Sequence, residues 1–321
     1  MSAAQSPKLI AAYATCRAIA KREAKNFYYS FRVLPQHKSD AMCAVYAFMR
    51  KADDLADDET LSLDARRAAM AAWTTAWRNS RTTPTTDPVF LALNDTQQRF
   101  NISDDLLEQL VAGTTLDLQP VQPGVGHTHI DIIGLDGETT SYDFDVYERF
   151  DYLYRYCYLV ASVVGLVCIK IFGYTDPRAE EFAERTGISF QLTNILRDVK
   201  EDAERGRIYL PADDINRQGT DIDSIRKACA GSPVDPATLS LLRLEIERAQ
   251  DYYRSADQLI PLLDPDARPA MRVLVRIYHR LLDRIARDPT AVFRERVSVP
   301  TSQKLAILAT GILQSFTARI L

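Results

Sequence analysis

Residues 46–58 read YAFMRKADDLADD, and the spacing within that stretch decides the fold. Taken as a helix beginning near Pro35, at about 100° per residue, it places Tyr46, Arg50, Asp53 and Asp57 in one narrow stripe. Ala41, Val45, Phe48, Ala52 and Leu55 form another stripe about 140° away. The segment is therefore a helix with an apolar back and a charged front. Asp53, Asp54, Asp57 and Asp58 fall within two turns and repel one another unless water or cations intervene. An EF-hand is excluded, because its loop glycine and spaced terminal glutamate are missing. Two readings stay open: a solvated acidic face, or a platform for Mg²⁺, which takes carboxylate oxygens, keeps waters and bridges to phosphates. On the second reading Arg50 and Lys51 hold the same phosphates.

A second stretch, 191–202, reads QLTNILRDVKED and is followed by Arg205-Gly206-Arg207-Ile208-Tyr209-Leu210-Pro211. Gln191, Asn194, Asp198 and Asp202 share one side of a helix, and Ile188, Leu192, Ile195 and Val199 lie about 80° around from them. Polar and apolar stripes this close suit a cavity wall where phosphate meets an oily chain, although a surface helix with a broad core face has the same pattern. Each acidic stretch has carboxylates at i and i+4 beside an arginine. Facing each other, two such helices hold several Mg²⁺ ions around a diphosphate, and the chemistry implied is ionisation of an allylic diphosphate in a water-free cavity.

The rest of the chain agrees with a helical body. Its 321 residues are 46% apolar and 26% charged, with 12 Gly and 15 Pro, which excludes disordered and fibrous classes and fits one all-α domain over residues 1–321. The formal charge of -4 argues against nucleic acid as a partner. Five cysteines without CxxC spacing point to reduced thiols in a cytoplasmic protein, and no signal peptide is expected. Tyr156 to Ile169 is short for a membrane span and reads as a core helix. Leu305, Leu308, Ala309, Ile312, Leu313, Phe316 and Ile320 form an amphipathic stripe at the C-terminus, expected to pack on its own domain, with peripheral membrane contact as the alternative. Between Pro120 and Asp143 the period changes. HTHIDII and ETTSYDF flank Leu135-Asp136-Gly137, so a β-hairpin is expected near 127–143, able to cap the cavity or only to decorate it. His127 and His129 are expected to be an exposed loop pair, since no acid completes a ligand set. Gly124-Val-Gly126 is too short for a dinucleotide fingerprint, so NADPH is not indicated, and a reductive last step stays open.

At these residues the sequence resembles the squalene/phytoene synthase family. The resemblance rests on NFYYS (26–30) with Leu34-Pro35, YAFMRKADDLADD, Gly113 to Leu118 with Asp117, Tyr156 to Ala161, and QLTNILRDVKEDAERGRIYLP, and spans roughly Lys21 to Asp214. It implies an all-α isoprenoid-synthase bundle with a central cavity. It also implies Mg²⁺, or Mn²⁺ in its place, on Asp53, Asp54, Asp57, Asn194, Asp198 and Asp202. The catalytic set it implies is Asp53, Asp57, Asp198, Asp202, Tyr46 and Arg50. Substrate contacts fall on Phe27, Tyr29, Arg50, Tyr156, Val160, Gln191, Asn194, Arg197, Arg207 and Tyr209, with Ala161 and Gly165 lining the chain. On periodicity alone Tyr156 and Val160 read as ordinary core, and Arg276 and Tyr278 in VLVRIYHRLLD are weaker candidates. The reaction implied is condensation of two prenyl diphosphates through a cyclopropylcarbinyl diphosphate. We expect farnesyl diphosphate and a presqualene or squalene-type product, with phytoene synthesis from geranylgeranyl diphosphate as the alternative and a non-catalytic prenyl-binding protein as the competing class. Downstream isoprenoid-pathway enzymes are the protein partners that reading allows. Lack of a C-terminal anchor like that of eukaryotic squalene synthases favours a soluble, bacterial-type enzyme.

Overall fold

The computed structural model describes residues 6–119, 122–133 and 138–320. Helices α1 (Pro7–Glu23), α2 (Lys25–Phe31), α3 (Gln36–Ala56), α4 (Leu63–Ser80), α5 (Pro88–Arg99) and α6 (Asp104–Thr114) account for the long periodic N-terminal region. Serine or aspartate caps set several of their starts: Ser62 accepts from the Ala65 amide, Asp87 from Val89 and Phe90, and Ser103 from Leu106. Helix α3 carries the first acidic stretch, and an aromatic cluster fixes its position. Phe48, fully buried, stands 4.7 Å from Trp73 and 5.0 Å from Trp77 between ring centroids, tying α3 to α4. Truncating Phe48 to alanine would cost roughly 3–5 kcal/mol, and Asp53 projects little more than one turn further along this anchored helix.

The hairpin forms and is longer than expected. Strands β1 (Val125–Ile133) and β2 (Thr139–Tyr147) pair antiparallel from Val125↔Tyr147 to Ile133↔Thr139, because Phe144, Val146 and Tyr147 are buried and carry the pairing past Asp143. The expected turn at Leu135-Asp136-Gly137 lies outside the described residues. His127 and His129 sit on a strand rather than a loop, and acids do stand beside them: His129 Nδ1 is 2.6 Å from Asp143 and His127 Nδ1 is 3.2 Å from Asp145. Both histidines are exposed.

Beyond the hairpin, α7 (Phe150–Cys157), a π-helical turn (Tyr158–Ser162) and α8 (Val163–Phe172) run on as one helical stretch. It is long and apolar enough to cross a membrane, yet Leu153, Cys157, Val163, Val167 and Ile171 are fully buried in the protein. Helix α9 (Arg178–Glu204) carries the second acidic stretch and buries Ile188, Leu192, Ile195 and Val199, the apolar stripe read from its sequence, and Leu196 beside them. After α9 the chain reverses at Gly206, whose φ of +73° and the 2.7 Å from its ideal Cβ position to the Asp143 carbonyl oxygen leave room only for glycine. The next residues form β3 (Arg207–Ile208), parallel to β2. The hairpin is thus no free excursion, because it is hydrogen-bonded to the segment that follows the second acidic motif.

Helices α10 (Ala212–Gln218), α11 (Ile222–Cys229), α12 (Pro236–Leu259), α13 (Arg268–Arg287) and α14 (Thr301–Ile320) complete the bundle. The interval Gly206 to Gly219 contains β3 and α10. Helix α14 packs on its own domain, against α13, along only part of the expected stripe. Leu308, Gly311 and Ser315 are buried, whereas Leu305 and Leu313 of the apolar stripe are 49% and 70% exposed.

Candidate active site

A cavity of about 410 Å³ lies inside the bundle. Its walls come from α2 and α3, from the π-helical turn and α8, from α9, and from α12 and α13. Most of its lining is apolar, including Phe31, Val164, Ile169 and Leu274. Phe27, Phe190 and Tyr278 form an aromatic corner: the rings of Phe190 and Tyr278 stack at 4.5 Å, and Phe27 is 5.8 Å from Tyr278. The polar part is concentrated in Tyr46, Arg50, Asp53, Gln191, Asn194, Arg197 and Arg296. An apolar chamber with one charged set suits an oily chain bearing an anionic head.

The electrostatics of that set follow from its helices. Burial, with repulsion from Asp57 added and attraction from Arg50 opposing it, pushes the Asp53 carboxyl up to about 7. Arg50 is already engaged, with Nη2 2.6 Å from Asp54, and its buried Nε has no hydrogen-bond partner among the described residues. Burial also pushes the Tyr46 phenol up to about 12, so it is a neutral donor. On α9, Asn194 Nδ2 donates to Gln191 Oε1 at 3.3 Å, while the buried Asn194 Oδ1 is left without a donor. Asp198 accepts from Arg197, whose Nε is 2.8 Å away, and from Arg296, whose Nε is 2.9 Å away. One turn on, burial and Asp198 push the Asp202 carboxyl up to about 7, against the pull of Arg205 and Arg207. A raised carboxyl does not by itself mark this site: Glu245, outside the cavity wall, is also near 7 through burial, and it is paired with Arg248 at 2.6 Å.

Of the residues singled out from sequence, the cavity brings together Phe27, Tyr46, Arg50, Asp53, Val160, Ala161, Gly165, Gln191, Asn194 and Arg197. Tyr29, Asp54, Asp57, Tyr156, Asp198, Asp202, Arg207 and Tyr209 are not on its wall. Asp198 stands behind Arg197 and Arg296. Asp202 lines a separate crevice with Arg207 and Tyr209. Tyr156 and Tyr209, 5.1 Å apart, join Tyr147 of β2 in an aromatic trio beside it. Lys51 is exposed, off the cavity. The side chain of Asp117 lies outside the described residues. None of the described hairpin residues lines the cavity, so capping gains no support. Sequence reading missed Arg296, which lies between α13 and α14 with no periodic signal, and undervalued Tyr278, whose i−4 partner Leu274 also lines the cavity.

The donor set suits a hard divalent cation. It offers carboxylate and amide oxygens, an unsatisfied Asn194 Oδ1, and two carboxyls held near 7 by burial and crowding. Among the described residues no three His, Cys, Asp or Glu side chains converge to hold an ion unaided.

The family model for squalene/phytoene synthase matches residues 20–303. A phytoene synthase of Mycobacterium tuberculosis is 32% identical over 95% of this chain and 92% of its own length. A 15-cis-phytoene synthase of Synechococcus elongatus is 30% identical over 95% and 93%. Among solved structures, a ligand-bound dehydrosqualene synthase superposes with a TM-score of 0.75 at 26% identity, covering 96% of this chain and 98% of that one. A squalene synthase from Alicyclobacillus acidocaldarius gives 0.73 at 24%, covering 88% and 96%, a likeness of fold.

Proposed function

This chain belongs to the squalene/phytoene synthase family, whose members join two prenyl diphosphates head to head, and on that premise we propose that it makes phytoene from two molecules of geranylgeranyl diphosphate. The observation that carries the reaction class is the cavity itself, with Arg50, Asp53, Arg197 and Arg296 sharing an otherwise largely apolar, aromatic-cornered wall. The chain length follows the relatives: those at 30–32% identity across nearly the whole chain are phytoene synthases by name. The sequence-based expectation of a farnesyl substrate gives way to them. Squalene-type chemistry remains the second reading because of the likeness to dehydrosqualene synthase.

Arg197 and Arg296 face the cavity while holding Asp198. An incoming diphosphate competes for both guanidiniums, and drawing both away frees the one carboxylate they share, Asp198. Asp53, Asp54, Asp57, Asn194, Asp198 and Asp202 are the residues that would hold Mg²⁺ or Mn²⁺. Such ions, when bound, neutralise charge on the departing diphosphate. Tyr46 and Arg50 hold the leaving group by neutral and charged hydrogen bonds. The C–O bond of one substrate breaks and its electron pair leaves with diphosphate. The double bond of the second substrate attacks the allylic carbon, and loss of a proton closes the cyclopropane. Phe27, Phe190 and Tyr278 offer ring faces to the cation, and the apolar walls keep water from it. Loss of the second diphosphate and rearrangement give the hydrocarbon, and phytoene formation ends in proton loss without a nicotinamide. Offering farnesyl and geranylgeranyl diphosphate in equal amounts with Mg²⁺ and identifying products by mass spectrometry tests the proposal: a C40 hydrocarbon is expected, and a predominant C30 product sinks it.

A further inference from the structure

The outer edge of the hairpin is open. The sheet order is β1-β2-β3, so among the described residues β1 is paired on one side only. None of its nine residues is buried, whereas β2 buries Phe144, Val146 and Tyr147. The hydrogen bonds of β2 fix which backbone groups of β1 face that edge. The Asp145 amide donates away from β1, to the Gly206 carbonyl oxygen at 2.8 Å, and the Glu148 amide donates back to the Gly124 carbonyl oxygen at 2.8 Å. Along an antiparallel register such exchanges alternate. Gly126, Thr128, Ile130 and Ile132 therefore bond to β2, while His127, His129, Asp131 and Ile133 turn N–H and C=O outward.

An edge of this length is ordinarily guarded by lysine, proline or a bulge. Strand β1 has no lysine or proline, and its register with β2 runs without a bulge from Val125 to Ile133. Its outward residues are instead complementary to themselves. Antiparallel pairing with a second copy about a twofold axis at His129 is the register that overlaps all nine residues. It sets His127 against Asp131 of the second copy and Val125 against Ile133, each pair occurring twice. Outward-facing residues meet outward-facing residues, as N–H···O=C exchange requires. The hydrogen bond to Asp145 raises the His127 pKa, which favours a charged imidazole opposite an aspartate. Ile133, at 74% the most exposed large apolar side chain among the described residues, is covered in the same register.

We propose that two copies of this chain join edge to edge through β1, antiparallel about His129, so that their hairpins form one continuous sheet across a twofold dimer. The contact is isologous, each copy giving and receiving the same pairs. An extended segment of another protein would satisfy the outward backbone groups but has no reason to repeat the two His127–Asp131 pairs. No described hairpin residue lines the cavity, so each subunit keeps its own site.

Sedimentation velocity of the full-length protein over a concentration series tests this, and a monomer–dimer equilibrium is expected. His129→Pro removes an outward N–H and leaves the β1–β2 bonds in place, a change that edge strands accept. It should weaken dimerisation about tenfold or more. Asp131→Lys, which sets a lysine against His127 of the second copy at two places, should weaken it about tenfold. Turnover by both variants should match wild type. Register is read by cross-linking under mild oxidation. His129→Cys should give a disulfide-linked dimer, because facing Cα atoms in such a pair stand about 5.5 Å apart. His127→Cys, which faces position 131, should not, and the wild-type cysteines, all buried or half-buried, provide the blank. A monomer at every concentration, a dimer indifferent to both His129→Pro and Asp131→Lys, or equal cross-linking at positions 127 and 129 overturns the proposal.

Discussion

At the end of α3, Asp53 stands against Asp57 with Arg50 in opposition, and Arg50 is itself engaged by Asp54. At the corresponding place on α9, Asp198 is gripped by Arg197 and Arg296. The two stretches look alike in sequence, acids at i and i+4 beside an arginine, but one end has surplus negative charge and the other is neutralised within the protein. Local spacing sets which carboxylates share a face. Whether a face is charged or satisfied depends on what the tertiary structure brings to it. On this reading the α3 end is where a cation gains most, and the α9 end releases its acid as diphosphate takes the arginines.

The largest effect should come from Asp53→Asn, which breaks the contrast at its unsatisfied end. Turnover should fall by about 10³-fold or more, as expected for loss of a metal-holding carboxylate. Stability should move the other way. In wild type without metal, the native state keeps a proton on Asp53 that the unfolded chain has already lost between about pH 4 and pH 7, so stability falls as pH rises through that window. Asn removes that slope. Discounting for partial exposure, the gain at pH 8 is about 2 kcal/mol, read as a rise in Tm of roughly 4 °C that vanishes near pH 3.5. No gain in Tm at pH 8 would show that Asp53 is not electrostatically strained.

Breaking the other end comes next. Arg296→Gln should lower kcat/KM by about 10- to 100-fold, because it removes a cavity cation that also holds Asp198. If the arginine acts through Asp198, Asp198→Asn and the double variant should be similarly slow, giving a coupling that a double-mutant cycle reads directly. Simple additivity would separate the two residues.

Asp57, the C-cap of α3, and Asp58 just after it sharpen the comparison at this end. Asp58 Oδ1 accepts from the Thr60 amide at 3.1 Å and from its hydroxyl at 2.5 Å, turned into the chain reversal that follows the helix. Asp58→Ala should leave kcat within about threefold and cost about 1 kcal/mol of stability, whereas Asp57→Ala should cut kcat by more than tenfold. Equal kinetic losses would mean that position on the helix does not decide the role.

The smallest effect is expected in the hairpin. Replacing Gln122 to Thr140 by a Gly-Ser linker should leave the product ratio close to that of the parent, since the described hairpin residues are off the cavity wall. Tyr147→Ala, which loosens the trio with Tyr156 and Tyr209 and hence the Arg207 segment, should lower kcat by a few-fold. A large rise in prenyl alcohol with the linker variant would restore the idea of a lid.

Helix positions and faces were legible in the sequence because they depend on local period. Pro35 ahead of α3, the stripe Ile188, Leu192, Ile195 and Val199, and the change of period at the hairpin all have neighbours in sequence that reveal them. What was hidden lies in contacts between distant segments. Arg296 reaches Asp198 across 98 residues, from a stretch with no repeat to read. Pairing of β2 with β3 joins Asp145 to Arg207, and a two-residue strand leaves no alternation. The rotation of α14 depends on Gly311 meeting Val273, and an apolar stripe alone does not say which of its edges is buried.

Head-to-head condensation fixes the stoichiometry of the reaction. Wild-type protein given geranylgeranyl diphosphate and Mg²⁺, with released diphosphate and extracted hydrocarbon measured in the same quench, should yield two diphosphates for every C40 hydrocarbon. One diphosphate per prenyl alcohol, or no Mg²⁺-dependent release at all, would contradict head-to-head condensation in this cavity.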